Sequence, residues 1–234
     1  MIRPLVIISG TGTEIGKTHF SEALLLRLGR AGHRAAGVKP IESGISQSAM
    51  SDGDRLRSAS TFHVKPFGYT MSAPISPHLA AAEARISISV PSIVAGVEEV
   101  RGLPDFLLLE LPGGLFSPIG PDTLNIDLVR ALRSDTLLLV APDRLGVLHD
   151  VIAATRAARS DGVKVDGIIL VTPDSTDPST GRNAAEISHL TDGIPVLATL
   201  PRASPIDIAS SDILEELLIR LETPRRSHTR FVPL

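Results

Sequence analysis

The stretch Gly10-Thr-Gly-Thr-Glu-Ile-Gly-Lys-Thr18 has the residue types that hold a chain of phosphates. Backbone N–H groups at a helix start, reinforced by the helix dipole, favour phosphate oxygens. Lys17 adds a mobile positive charge, and the Thr18 hydroxyl suits the shell of a Mg²⁺ ion carried with the phosphates. The string departs from the usual Gly-x-x-x-x-Gly-Lys-Thr: position 11 is Thr11, and Gly10 stands one residue early. Further along lie Lys39 before Pro40, Ser43 before Gly44, the pair Asp52 and Asp54, and Glu110. Glu110 ends the apolar run Phe106-Leu-Leu-Leu109, and a carboxylate closing a buried strand needs a cation or a hydrogen-bond donor. The others have plainer roles open to them. Lys39 reads equally as a surface lysine at a strand end, and Ser43-Gly44 as turn chemistry. Asp54, after Ser51-Asp52-Gly53, reads as a helix N-terminal cap, with Asp52 a rival for any place in a site.

These residues need elements to position them. Leu5–Ser9 reads as a buried strand and Lys17–Arg30 as an amphipathic helix closed near Gly32. Arg34–Val38, Asp105–Glu110, Thr136–Val140, Val165–Val171 and Pro195–Leu200 read as further strands. Helices are expected at Ile126–Arg133, Val147–Arg159, about 180–190 and Ile213–Leu221. Near-continuous apolar strands alternating with helices imply an α/β fold, a mainly parallel sheet with helices on both faces. Ligands of such sheets gather beyond the strand carboxyl ends, where Lys39, Glu110 and Thr172 all fall.

The 234 residues suit one α/β domain over 1–223, followed by a mobile tail over 224–234. The tail's Arg225-Arg226, His228 and Arg230 read as a solvated basic cluster. A formal net charge of −3 and 3% aromatics speak against nucleic acid as partner. Zero cysteines exclude disulfides, thiol catalysis and thiolate metal sites. Without a signal-peptide pattern or an apolar run of membrane-spanning length, the expectation is a cytoplasmic protein with no membrane partner.

Several segments together resemble the ATP-dependent dethiobiotin synthetase family: the loop at 10–18, Lys39-Pro40-x-x-Ser43-Gly44, Ser76-Pro77-His78-Leu79-Ala80-Ala81, and Glu110-Leu-Pro-Gly-Gly-Leu-Phe-Ser-Pro118. The resemblance implies a three-layer α/β/α fold of P-loop NTPase type and a homodimer. It implies a ligase of biotin biosynthesis that carboxylates 7,8-diaminopelargonate with CO₂ and closes the ureido ring with ATP as cosubstrate and Mg²⁺. By resemblance, Lys39, Lys17 and Thr11 are catalytic, and Ser43 and Thr11 bind substrate. Glu14, Ile15, Gly16, Lys17, Thr18, His19, Asp54, Glu110, Gly113, Thr172, Leu200, Pro201 and Arg202 are expected to hold the nucleotide, with Thr18, Asp54 and Glu110 serving the metal.

Three departures stand out. The family's Glu-Gly-Ala-Gly-Gly is Glu110-Leu111-Pro112-Gly113-Gly114, which stiffens the segment and removes one backbone donor. Its Leu-Gly-x-x-Asn-His segment, at a dimer interface near substrate, is Leu145-Gly146-Val147-Leu148-His149-Asp150. Where many members carry an adenine-reading Asn-Asp, this chain has Val171-Thr172-Pro173-Asp174, so weaker selectivity for ATP over CTP or GTP is expected. Competing functions are a nucleotide-binding paralogue with lost or altered ligase activity, an amidoligase of the cobyrinate-diamide type, and a partition-type ATPase. The amidoligases generally use a cysteine in a glutaminase domain, and this chain has no cysteine. The partition ATPases carry an extra lysine early in the loop, where this chain has Gly12.

Overall fold

The structure, a computed structural model, describes residues 4–46 and 48–223. The expected tail at 224–234 lies outside the described residues. The elements run β1 (Leu5–Gly10), α1 (Lys17–Arg30), β2 (Ala35–Val38), β3 (Ile41–Ser43), α2 (Asp52–Ala59), β4 (Tyr69–Met71), α3 (Pro77–Glu83) and α4 (Val90–Arg101). They continue with β5 (Phe106–Glu110), β6 (Pro118–Gly120), β7 (Thr123–Leu124), α5 (Asn125–Leu132), β8 (Thr136–Pro142), α6 (Val147–Ser160) and β9 (Gly167–Val171). Last come α7 (Asn183–Leu190), β10 (Val196–Leu200), α8 (Pro205–Ser210), a short 3-10 turn and α9 (Glu215–Glu222).

Six strands form one sheet in the order β2-β5-β1-β8-β9-β10, every pair parallel. β1 is buried along its whole length, and its alternating side chains feed two separate cores. Leu5 and Ile7 join a layer with Ile93, Val97, Ile126, Val151 and Ile187, from α4, α5, α6 and α7. Val6 and Ile8 join the opposite layer with Phe20, Leu24, Leu28, Leu56, Ile208 and Leu217, from α1, α2, α8 and α9. Three layers follow from that alternation, as the apolar strands lead one to expect.

The order makes β1 the point where the chain changes direction. From β1 it runs out to β2, returns to β5 on the same side, then crosses to β8 on the other. A crevice forms at such a reversal, beyond the strand carboxyl ends. Ile8 pairs with Glu110 of β5 and with Leu138 of β8, so the loop after β1 and the loop after β5 emerge side by side. Two backbone bonds stitch them: Leu111 N–H to Ile8 O at 2.9 Å and Leu115 N–H to Gly10 O at 2.9 Å.

The segment between Gly44 and Leu103 carries three helices that the sequence analysis does not assign. α4 starts with Ser89 as N-cap, accepting from Ser92 N–H, and has proline in its first turn. Its buried face is Ile93, Val97 and Val100, at helical spacing. The β9 strand begins at Gly167, two residues later than expected; a Cβ there would come 2.2 Å from Leu197 Cδ1, so the bare glycine lets that leucine pack against it.

The small parallel pair β3–β4 flanks the crevice, and Gly68 sets its start. Gly68 has φ +106°, and a Cβ built on it would lie 2.0 Å from the Pro40 carbonyl oxygen. That carbonyl accepts Tyr69 N–H at 2.8 Å, so it cannot swing away without breaking the pair. Gly68→Ala is expected to destabilise the fold by about 3 kcal/mol. For a chain of this size that lowers Tm by about 6–12 °C, measured by calorimetry.

Candidate functional site

The loop between β1 and α1 is shaped for anions by its backbone. Glu14 has φ +56° and Gly16 φ +90°, two left-handed residues that turn the chain sharply into α1. A side chain at Gly16 would meet Val171 Cγ1 at 2.8 Å, so glycine lets the helix start sit against the end of β9. Phe20 N–H to Gly16 O, at 2.9 Å, is the first bond of the helical ladder. The N–H groups preceding it lie before that ladder, at the positive end of the dipole. Lys17 Nζ reaches back over the loop and donates to Gly12 O at 2.7 Å. Burial pushes its amine down to about 8, with Lys39 adding to the effect and Glu110 and Asp52 pulling the other way.

Below the loop lies a closed set of charges. Glu110 is fully buried at the end of β5. Its Oε1 accepts from Thr18 Oγ1 at 2.8 Å and from Lys39 Nζ at 2.9 Å, and its Oε2 accepts from Ser21 Oγ at 2.8 Å. Lys39 also donates to Asp52 Oδ2. Burial works against the Lys39 ammonium, but Glu110 and Asp52 beside it outweigh that cost and raise its pKa. Burial likewise opposes the Asp52 carboxylate, and Lys39, then Thr18 and Arg55, hold it below its usual range. Arg55 Nη1 stands 3.6 Å from Asp52 and is fixed by Glu22, with Nε at 3.1 Å and Nη2 at 2.6 Å.

Two adjoining clefts open at this end of the sheet. One, of about 700 Å³, is walled by residues 13–19 together with Lys39, Glu42, Ser43, Asp52, Arg55, Gly113 and Ser117. The other, of about 540 Å³, is walled by Glu14, Ile15, Gly16 and His19 together with Thr172, Asp174, Pro201 and Arg202. Residues 14–16 and His19 border both. Arg202 bridges to Asp174 at the rim of the second cleft, Nη2 to Oδ1 at 2.9 Å. Leu200, expected at the nucleotide, is wholly buried and does not line the second cleft; its carbonyl accepts Thr172 N–H at 3.0 Å. Ser43 lines the first cleft and donates to Ile75 O at 2.7 Å.

Two further expected positions need correction. Thr11 is not among the residues lining the first cleft. Its N–H donates to Val140 O at 3.0 Å, so the chain is still held to the sheet there, and the loop opens beyond it. The threonine that lines the cleft is Thr13. Asp54 pairs with Ser51, the N-cap of α2, instead of joining Glu110: Ser51 Oγ accepts Asp54 N–H at 3.0 Å and donates to Asp54 Oδ2 at 2.8 Å. The helix starts at Asp52, and two residues rotate a side chain by about 200°. Asp52 therefore faces Lys39, and its rival faces away.

The Leu111-Pro112 departure is absorbed without crowding the cleft. Leu111 is fully buried in the core, and Asn125 Nδ2 clamps the segment by donating to Pro112 O at 2.6 Å and Gly114 O at 2.8 Å. Thr13, Glu42, Arg55, Ser117 and Asn125 escaped the sequence reading. A charged residue inside the short β3 strand was the one available signal, and it belonged to Glu42.

A family model described as an AAA domain matches residues 5–210. An ATP-dependent dethiobiotin synthetase of Rhodopirellula baltica is 35% identical over 86% of this chain and 85% of its own length. One from Ralstonia nicotianae is 34% identical over 86% of this chain and 94% of its own. Among solved structures, the cell division ATPase MinD of Pyrococcus furiosus is similar with a TM-score of 0.59 and 17% identity, covering 94% of this chain and all of that one. A ParA family ATPase of Chlorobium tepidum is similar with a TM-score of 0.57 and 13% identity, over 94% and 97% of the two chains. These two likenesses describe the fold.

The depressed Lys17 amine gives phosphate binding a pH signature. A polyphosphate beside it raises its pKa, so binding takes up a proton once the free amine has begun to deprotonate. Affinity for a nucleoside triphosphate is expected to level off about one pH unit below 8 and to fall with rising pH, approaching about tenfold per unit well above 8. Titration calorimetry at pH 8.5, in two buffers of different ionisation enthalpy, should report net proton uptake in the wild type and none in Lys17→Met.

Proposed function

The chain belongs to the ATP-dependent dethiobiotin synthetase family, and we propose that it closes the ureido ring of 7,8-diaminopelargonate with CO₂ and ATP, giving dethiobiotin, ADP and phosphate. The observation that carries this reading is the position of Lys39. It stands between the carboxylates Glu110 and Asp52 on one side and the Ser43 end of the first cleft on the other. A triphosphate on the loop at 13–18 and a substrate beside Ser43 would meet at that ammonium.

The chemistry asks for little covalent help. One substrate amine attacks CO₂, forming a C–N bond and losing a proton to give a carbamate. A carbamate oxygen then attacks the γ-phosphorus, and the bond to ADP breaks. The second amine attacks the resulting carbamic–phosphoric anhydride, loses its proton, and phosphate leaves. Each step moves negative charge, so positioning and neutralisation are the protein's contribution. Lys17 neutralises the β- and γ-phosphates, and backbone N–H groups of 14–18 wrap them. Lys39 stabilises the carbamate and the transferred phosphoryl group. Ser43 and Thr13 orient the substrate.

The Thr18 hydroxyl and the Glu110 and Asp52 carboxylates are hard oxygen donors of the kind Mg²⁺ takes and would hold it directly or through water, with Lys39 between the two carboxylates. When bound, the ion would neutralise charge developing on the phosphates. The second cleft, with Thr172, Pro201, Arg202 and the Leu200 carbonyl behind it, is the proposed seat of the base. A homodimer and a cytoplasmic location complete the reading. Leu145, 76% exposed in the segment leading to His149, supports an interface there. Among the described residues no helix is long and apolar enough to cross a membrane.

Incubation with diaminopelargonate, bicarbonate, Mg²⁺ and ATP should yield dethiobiotin and stoichiometric phosphate, detected by mass spectrometry; tight nucleotide binding without product would favour a paralogue that has lost the ligase reaction. Lys39→Ala should lower kcat by about a thousandfold while nucleotide Kd changes less than about threefold, the split expected of a group acting in the transition state. Equal losses would make Lys39 a nucleotide ligand instead.

No asparagine stands beside the second cleft at 172–174 to read the adenine edge. ATP, CTP and GTP are expected to compete within about tenfold of one another, because a site without a dedicated hydrogen-bonding partner discriminates weakly. Competition binding with a fluorescent nucleotide measures this, and a steep preference for ATP would contradict it.

A further inference from the structure

We infer that Glu42 is a positioning residue of the ligase site: it fixes Asp52 against Lys39 by gripping the backbone at the start of α2. The inference rests on the proposed reaction for its kinetic test only.

Glu42 lies on β3, three residues after Lys39 and one before Ser43, and is 7% exposed. Its Oε1 accepts Asp52 N–H at 2.6 Å and its Oε2 accepts Gly53 N–H at 3.1 Å. Asp52 is thereby held at both ends by the same short segment, its backbone by Glu42 and its carboxylate by Lys39. Gly53 belongs to the same arrangement. A Cβ on it would lie 3.2 Å from Glu42 Oε2, so a larger residue would press on the carboxylate and require it to give by a few tenths of an ångström.

The fold has no need of this grip to make the helix. Ser51 already caps α2 through Asp54 N–H, Leu56 buries in the core, and Arg55 ties the helix to Glu22 on α1. The loop that joins β3 to α2, however, is exposed or half-exposed from residue 48 to 51 and carries little to hold the first turn in place. A buried carboxylate accepting two helix N–H groups at that point gains from the helix dipole and from charge-assisted bonds. What it secures is the distance between Asp52 and Lys39, and through Lys39 the link to Glu110.

Three kinetic comparisons and one structural one test this. Glu42→Ala should lower kcat for dethiobiotin formation by about 30-fold, with KM for ATP changed less than about twofold, since loss of positioning acts on turnover. Glu42→Gln keeps one acceptor oxygen and should recover activity to within about fivefold of wild type. In an Asp52→Ala background, where no carboxylate remains to be placed, Glu42→Ala should cost less than about threefold more. Backbone amide exchange by NMR should show Asp52 and Gly53 protected in the wild type and exchanging at least about tenfold faster in Glu42→Ala, with Asp54 unchanged. An equal kcat loss in both backgrounds, an unchanged kcat, or undiminished protection of the Asp52 amide would overturn the inference. A wild type that forms no dethiobiotin would refute the proposed reaction, and the exchange measurement would still decide the role of Glu42.

Discussion

The buried carboxylate of Glu110 is the constraint on which the rest of the site depends. Removing such a group from water costs several kcal/mol unless cations and donors surround it. Here three residues from two places supply the donors: Thr18 and Ser21 from the first turns of α1, and Lys39 from the chain just beyond β2. The end of β5, the start of α1 and the segment leading into β3 therefore cannot shift independently. Asp52 extends the set to α2, because a second carboxylate balances the second lysine. Two cations face two anions at the floor of the first cleft, with Glu110 wholly buried beneath them, and each fixes the geometry of the next.

Topology explains why these parts meet. With β1 central and the chain reversing direction around it, the loops after β1, β2 and β5 all open at the same sheet edge. The loop at 13–18 occupies the reversal and borders both clefts, so a ligand bound on it reaches naturally into each. In the proposed reading the phosphates lie at the junction, the base to the β9–β10 side, and the substrate to the β3 side. One loop thus orients both halves of the reaction.

Legibility in the sequence followed the strength of local pattern. α1 is bounded as its pattern predicts, because an apolar run stops at a glycine-bearing loop and resumes with helical spacing. The sheet strands are equally plain, being short apolar blocks. α2 and α3 are brief and rich in small or polar residues, so no period stands out over their length. Errors at the site came from helix and strand ends. Reading Asp54 instead of Asp52 mistakes which residue begins α2, and each residue turns the side chain by about 100°. Thr11 against Thr13 is the same kind of error at a strand end, since β8 holds the chain through Thr11 before the loop opens. Glu42 and Asn125 were invisible for another reason. They act on backbone groups remote in sequence, Asn125 on Pro112 and Gly114 and Glu42 on Asp52 and Gly53, and no local spacing encodes such pairings.

The likeness to the MinD and ParA ATPases marks how far a shared sheet goes. At sequence identities of 13–17% the likeness is one of fold alone. In partition-type loops the additional lysine stands early in the loop itself, at the position of Gly12. Here the Gly12 carbonyl instead accepts from Lys17, and the second buried cation arrives from beyond β2 as Lys39. Lys39 comes from the segment that also carries Ser43, and both line the first cleft, so in the proposed reading this second buried cation faces the substrate as well as the phosphates.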